Sequence, residues 1–191
     1  MAVRNVGRKE LEDLLVSFLV LVLLFSNFEL SMLPYASLAV LTAFIFHELA
    51  HRQVARRYGY RAYYERWDTG IFLALLLGLA SRILTGTTWV FAAIGAVRIH
   101  APYAIDPGET FGRIAFAGPL VNLIIGITAF LVSLWSPSLS LAARTIAEVN
   151  VWLALFNLIP FPPLDGFKVF RWNTGLWAVS FGLAYLLLRV V

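Results

Sequence analysis

The residues of this chain best suited to chemistry are His47, Glu48 and His51, which form an H-E-x-x-H motif. At about 100° per helical residue, the two histidines lie one turn apart on one helical face, so both imidazoles could bind one metal ion. Glu48 lies on a neighbouring face, where a carboxylate can take a proton from water instead of binding the metal. The alternative is a chance match on a helix end whose polar residues simply reach water.

The composition places this motif in a membrane. Of 191 residues, 60% are hydrophobic and only 14% are charged, which is far more apolar than a soluble domain of this size. An ionisable side chain at the centre of a bilayer costs about 2.5 kcal/mol or more, so a glutamate between two histidines there indicates function. We therefore predict an α-helical polytopic membrane protein, with all 191 residues in a single membrane-embedded domain.

Cysteine content and charge restrict the possible ligands and partners. The chain has no cysteine, so a bound metal must use its three histidines and its carboxylates. The formal net charge is +4, but the arginines lie where membrane segments end, so we interpret them as topology determinants and expect no nucleic-acid binding. If positive residues stay inside, we expect a multi-pass protein of the cell membrane whose N-terminus and H-E-x-x-H motif lie towards the cytosol.

Hydrophobic periodicity predicts about six membrane segments. They are residues 11–27, 36–57, 70–84, 111–135, 139–158 and 174–188. The third is short for a straight span, so we expect it to be tilted, partial or re-entrant. A stretch near residues 87–100 is rich in β-branched and aromatic residues and predicts a short β element, buried or re-entrant because an open strand cannot face lipid.

A second informative segment is residues 157–166, N-L-I-P-F-P-P-L-D-G. Its prolines cannot continue a helix, so the backbone becomes irregular and presents Asp165, with Gly166 permitting a sharp turn. By the alternation of membrane segments, this end faces the same side as His51. Asp165 could therefore be a third metal ligand, leaving one position open for water. The alternative is a turn residue paired with Lys168.

The two segments together resemble the site-2 protease family of intramembrane zinc metalloproteases. The resemblance rests on the motif at 47–51 and on Asn157-x-x-Pro-x-x-Pro-x-Asp-Gly ending at Gly166, and it covers residues 41–170. Residues 118–122, G-P-L-V-N, are also similar to a motif common in that family. The chain has no room for the PDZ or CBS domains of many members, so we expect a compact form.

The resemblance implies a zinc-dependent endopeptidase that hydrolyses peptide bonds within or near transmembrane segments, as in regulated intramembrane proteolysis. His47, His51 and Asp165 would bind Zn²⁺, Glu48 would be the general base, and Asn157 would assist at the oxyanion. The expected partners are transmembrane protein substrates and the lipid bilayer, while the oligomeric state is not indicated. A membrane metal transporter or binding protein, or a proteolytically inactive relative, is the alternative, and neither would need to keep Glu48.

Three further polar residues have two interpretations each. Asn122 could line the catalytic cavity, but a packing seam in which Gly118 admits another helix explains it slightly better. Asn150 could extend a polar stripe towards the site or serve helix packing. His100, at the end of an apolar stretch, is assigned no catalytic role.

Overall fold

The computed structural model describes residues 2–101 and 107–191, and these are mainly helical. The helices are α1 (Ala2–Phe25), α2 (Leu33–Val40), α3 (Phe46–Arg57), α4 (Asp68–Thr85), α5 (Pro107–Trp135), α6 (Ser140–Asn157), α7 (Asp165–Trp172) and α8 (Thr174–Leu187). The strands are β1 (Arg61–Arg66) and β2 (Gly95–His100). The predicted helical membrane protein with a short β element is confirmed.

The number of membrane segments is smaller than predicted. Within the described ranges, four helices are long and apolar enough to cross a membrane: Leu30–Arg57, Asp68–Thr85, Gly108–Trp135 and Pro137–Asn157. The predicted first segment belongs to α1, whose first half carries several charged residues, and the predicted last segment is α8, which has only 14 residues. The third predicted segment, residues 70–84, was expected to be short. It corresponds to α4, whose 18 residues are enough to cross a membrane.

A π-helical segment, Leu41–Ile45, joins α2 to α3 directly before the H-E-x-x-H motif. Single π turns inside α-helices occur often at functional sites, because they change the rotation of everything that follows. Two fully buried asparagines bind this segment from neighbouring helices. Asn122 Nδ2 donates to the backbone oxygen of Ala43 at 3.1 Å, and Asn150 Nδ2 donates to Thr42 Oγ1 at 2.9 Å.

The two strands form an antiparallel ribbon in which Tyr64 lies opposite Val97. Strand β2 confirms the extended element expected near residues 87–100, although only Gly95–His100 is strand. Strand β1 was not predicted, because Arg61 and Arg66 were interpreted with the other arginines as topology determinants. Its sequence R-A-Y-Y-E-R nevertheless contains the aromatic residues that favour strands.

A polar face of α1 anchors the ribbon along β1. Glu10 Oε1 accepts the backbone N–H of Tyr64 at 3.0 Å and pairs with Arg52 at 3.1 Å. The Tyr64 hydroxyl donates to Ser17 Oγ at 2.9 Å, and burial raises the pKa of that hydroxyl well above its usual value, so it remains a donor. Because Tyr64 directs its N–H to α1, the outer edge of β1 is covered by this helix.

The anchor predicts a stability difference between two glutamates of α1. Glu10→Ala should lower the thermal unfolding temperature in detergent, because it leaves a buried Tyr64 N–H and Arg52 without their acceptor, a loss of about 1–3 kcal/mol. Glu12→Ala is the matched control, since Glu12 is 61% exposed and pairs with exposed Arg8. Equal unfolding temperatures for the two variants would contradict this role for Glu10.

Candidate metal centre

The structure brings His47, His51 and Asp165 together at one point. The histidines lie one turn apart on α3 and are buried, with 3% and 5% exposure, and Asp165 begins α7. The Nε2 atoms of the two rings are 2.9 Å apart. Asp165 Oδ2 lies 3.3 Å from His47 Nε2 and 3.0 Å from His51 Nε2. The carboxylate expected from the second segment therefore meets the histidines and does not pair with Lys168.

A tight fold of the chain after α6 delivers Asp165 to this point. Helix α6 ends at Asn157, and the proline-containing turn that follows leads straight into α7. Gly166 packs against the backbone of Leu158 and Ile159, where a Cβ atom would lie only 2.6 Å from the Ile159 oxygen. The glycine thus permits α7 to start against the end of α6. Asp165 is the first residue of a helix, whereas irregular backbone was expected.

The hydrogen bonding of His51 indicates what kind of group the cluster fits. Its Nδ1 lies 2.7 Å from the backbone oxygen of Ile114. A carbonyl oxygen only accepts, so Nδ1 is the donor, and in the neutral ring Nε2 then carries the lone pair. That lone pair faces His47 Nε2 and the Asp165 carboxylate. A cation bound at this point would remove the repulsion between the converging lone pairs.

The distances and the donor types fit zinc. Ligands about 2.1 Å from a tetrahedral zinc ion lie about 3.4 Å from one another. The three separations here are 2.9, 3.0 and 3.3 Å. Two imidazoles and one carboxylate form the donor set of a catalytic zinc site, in which a fourth position remains for water.

Glu48 lies beside the cluster in a cavity of about 220 Å³. Its Oε2 atom is buried and has no hydrogen-bond partner among the described residues. The backbone N–H of Val97 faces the same carboxylate. Val97 and Asn157 also line this cavity. The cavity thus holds a carboxylate, the edge of β2 and a side-chain amide beside the three candidate ligands.

The remaining candidates lie at different distances from the centre. Asn157 lines the cavity, and its Nδ2 donates to the backbone oxygen of Leu153 at 3.0 Å. Asn150 binds the π segment and not the three ligands. His100 is the exposed last residue of β2, which agrees with its exclusion from the site.

Two contributors to the site were missed because they act through the backbone. The carbonyl oxygen of Ile114 orients His51, and the N–H of Val97 faces Glu48. Side-chain identity does not reveal such groups. A signal was present in Gly118, however, because a Cβ atom there would lie within 2.6 Å of the His47 ring. The G-P-L-V-N motif therefore marks the place where α5 passes against the histidines.

Comparison with known proteins gives three informative relatives. One from Methanocaldococcus jannaschii is 38% identical over 184 residues, covering 94% of this chain and 92% of its own length. One from Bacillus subtilis is 25% identical over 160 residues, covering 76% and 71%, and one from Mycobacterium tuberculosis is 32% identical over 138 residues, covering 69% and 29%. All three are named "Putative zinc metalloprotease". No protein-family profile and no solved structure matches the chain.

Proposed function

The chain belongs to the site-2 protease family of zinc metalloproteases, and we propose that it hydrolyses peptide bonds within or near transmembrane segments of membrane-protein substrates. The observation that carries the proposal is the position of the candidate metal centre. His47, Glu48 and His51 lie within the candidate span Leu30–Arg57, beside a cavity of about 220 Å³. A zinc-dependent protease with its reacting groups at this depth is suited to substrates that are themselves in the membrane.

Each proposed role follows from the position of a side chain. His47, His51 and Asp165 would hold the zinc ion, which would supply Lewis-acid polarisation of the peptide carbonyl and lower the pKa of water. Glu48 takes the proton from the attacking water and returns it to the leaving nitrogen. Its buried Oε2, which lacks a partner among the described residues, is a free acceptor for that proton. A transporter would have no use for this group beside the ligands.

Asn157 is proposed as the donor to the developing oxyanion. Its amide carries two N–H groups, of which one has the backbone oxygen of Leu153 within 3.0 Å of the nitrogen. The second N–H remains for the negative charge that forms on the substrate's carbonyl oxygen. The bond to Leu153 holds the amide at the end of α6, so the donor is in place before the reaction begins.

The edge of β2 that has no strand partner among the described residues is proposed as the binding site for the unwound substrate. A peptide bond in a transmembrane helix is sheltered by its helical hydrogen bonds, and unwinding leaves its backbone groups in need of partners. Because Tyr64 directs its N–H away from β2, the opposite residue Val97 directs its own N–H and C=O away from β1. Those groups face the cavity, and the Val97 N–H now faces Glu48. An added strand would take over this N–H and so place a peptide bond near the base.

The distribution of arginines supports a cytosolic position for the site in a cell membrane. His47 lies nine to ten residues before Arg56 and Arg57, which is a depth of about 14 Å along a helix. Basic residues at the ends of spans favour the cytosolic side. We therefore place the N-terminus, the end of α3 and the start of α7 on that side.

The division of roles predicts different behaviour for base and ligands. Glu48→Gln should abolish cleavage while zinc remains bound, because an amide cannot take the proton but the three ligands are intact. Asp165→Asn and His51→Ala should lower zinc affinity as well as cleavage. Asn157→Ala should keep zinc and lose about 10²-fold in rate. Zinc content and cleavage of a single-pass substrate are measured on the same purified variants.

Two results would show that this division is wrong. One is near-normal cleavage by the Glu48→Gln variant. The other is full zinc occupancy together with full activity in the Asp165→Asn variant.

Proline substitutions in β2 test the substrate edge. Val97→Pro removes an N–H that points away from β1 and faces Glu48. If this N–H binds the substrate, KM should rise about tenfold while thermal stability and zinc content stay near those of the unmodified protein; a loss confined to kcat would assign the N–H to Glu48 instead. Ala96→Pro, at the adjacent position, removes an N–H directed towards β1 and should lower thermal stability. Val90→Pro, outside the strand, is the control. Uniform indifference of cleavage to all three substitutions would refute the edge as a binding site.

Single-cysteine labelling tests the orientation, and the absence of natural cysteine makes every variant unambiguous. Arg57→Cys and Lys168→Cys should both react with an impermeant maleimide from the cytosolic side, since Asp165 places the start of α7 beside α3. Ser138→Cys, in the connection between α5 and α6, should react from the opposite side. Labelling of Arg57→Cys and Lys168→Cys from opposite sides would refute both the orientation and the shared metal centre.

A further inference from the structure

The face of α5 that passes the histidines carries residues at a spacing of four. Ile114, Gly118 and Asn122 follow one another at successive helical turns, so they lie on the same side of the helix. Ile114 accepts the Nδ1–H of His51, and Gly118 provides the close approach to both rings. Asn122 occupies the next turn, which is the position beside His47.

The amide of Asn122 has a determined orientation. Its Nδ2 lies 3.1 Å from the backbone oxygen of Ala43, one turn before His47. Because a carbonyl oxygen only accepts, the NH₂ group must face Ala43. The Oδ1 atom is therefore directed away from Ala43, and the Asn122 side chain lies in interaction range of the His47 ring.

Two buried atoms at this contact lack partners. Among the described residues, neither Asn122 Oδ1 nor His47 Nδ1 has a partner that meets hydrogen-bond geometry. Both belong to residues buried almost completely, with 0% and 3% exposure. The other ring nitrogen of His47 faces His51 and Asp165, so Nδ1 is the nitrogen left for Asn122. Asn122 Oδ1 can accept a hydrogen bond, and His47 Nδ1 can donate one when it carries the proton. A hydrogen bond between these two atoms would therefore satisfy both.

We propose that Asn122 is a positioning residue whose Oδ1 accepts the Nδ1–H of His47 and so aims the Nε2 lone pair of that ring at the metal centre. The proposal rests on the assignment of His47 as a zinc ligand. It gives each ligand histidine its own acceptor from α5, a backbone oxygen for His51 and a side-chain oxygen for His47. A ligand histidine usually needs such an acceptor to fix its tautomer and ring orientation.

The bond to Ala43 extends this role to the helix that carries the motif. Ala43 belongs to the π segment, which determines the rotation at which α3 begins. Asn122 therefore contacts both the backbone before the motif and the first ligand within it. Asn150 provides a comparison, because it is equally buried and binds the same segment through Thr42, but it has the Ile146 oxygen as its second contact and not the His47 ring.

The test compares zinc affinity in three variants of the full chain in detergent. Asn122→Leu removes both polar groups and should weaken zinc binding about 10- to 100-fold in competition with a chelating indicator. Asn122→Asp keeps an acceptor for His47 but loses the donor to Ala43, so its affinity should stay within about threefold of the unmodified protein. Asn150→Leu is the matched control, with an expected change below about twofold.

Imidazole ¹⁵N spectra report the tautomer directly, and the chain has only three histidines to assign. Before zinc is added, His47 should be protonated at Nδ1 in the unmodified protein and in Asn122→Asp, and should become a tautomer mixture in Asn122→Leu. A role in packing alone would not change this signature.

The outcomes separate this inference from the proposed function. If the unmodified protein binds zinc and His47→Ala does not, but Asn122→Leu binds as tightly as the unmodified protein, the positioning role is wrong and the metal centre stands. Equal weakening by Asn150→Leu, or a loss in Asn122→Asp as large as in Asn122→Leu, would also overturn it. Failure of the unmodified protein to bind zinc would overturn both.

Discussion

Three lone-pair donors that converge in apolar surroundings are the constraint on which the rest of this structure depends. Two imidazoles come from adjacent turns of α3, but the carboxylate belongs to a helix more than a hundred residues later in the chain. A carboxylate is costly to bury unless its partners are already in place. The break between α6 and α7 and the glycine at position 166 are therefore as necessary as the ligands, because they decide where Asp165 arrives.

Four buried polar residues outside the centre share one task, which is to align neighbouring elements. Glu10 and Ser17 bind β1 through Tyr64, and Asn150 and Asn122 bind the π segment. In apolar surroundings each of these groups would be destabilising without its partner, so each permits essentially one arrangement of neighbouring elements. Alignment of this kind sets the rotation of α3 and the position of β2 relative to it. Glu48 and Val97 meet as a result.

The parts of the site that could be predicted from the sequence are those with a local signature. Helix geometry alone places His47 and His51 on one face. The prolines before Asp165 predict an interrupted helix in any fold. The contact between Asp165 and the histidines has no local signature. Its prediction required the alternation of membrane segments and the family resemblance. The role of Glu48 was expected from the motif itself and that of Asn157 from the same resemblance, and both stay predictions.

The parts that could not be predicted depend on tertiary contacts or on composition at the segment ends. Strand β1 forms because β2 and α1 pack beside it. A six-residue stretch with three charged side chains does not by itself predict a strand. The backbone oxygen of Ile114 has no signature at all, since every residue carries one. Hydrophobic periodicity overcounted the membrane segments because it responds to the apolar half of α1 and to the composition of α8, but not to the charges or the length that decide a span.

The cover that α1 places over β1 also bears on how the ribbon can grow. A two-stranded ribbon with both edges open could be extended from either side, and two copies of the protein could join edge to edge in the manner of an aggregate. Here Glu10 already holds the outward N–H of Tyr64, so that side is closed to a visiting chain. An added strand could pair with the other edge, that of β2, which lines the cavity. Under the proposed function, a peptide that extended the ribbon there would lie beside Glu48 and the candidate metal ligands, and a second copy of the protein would compete with it for the same edge.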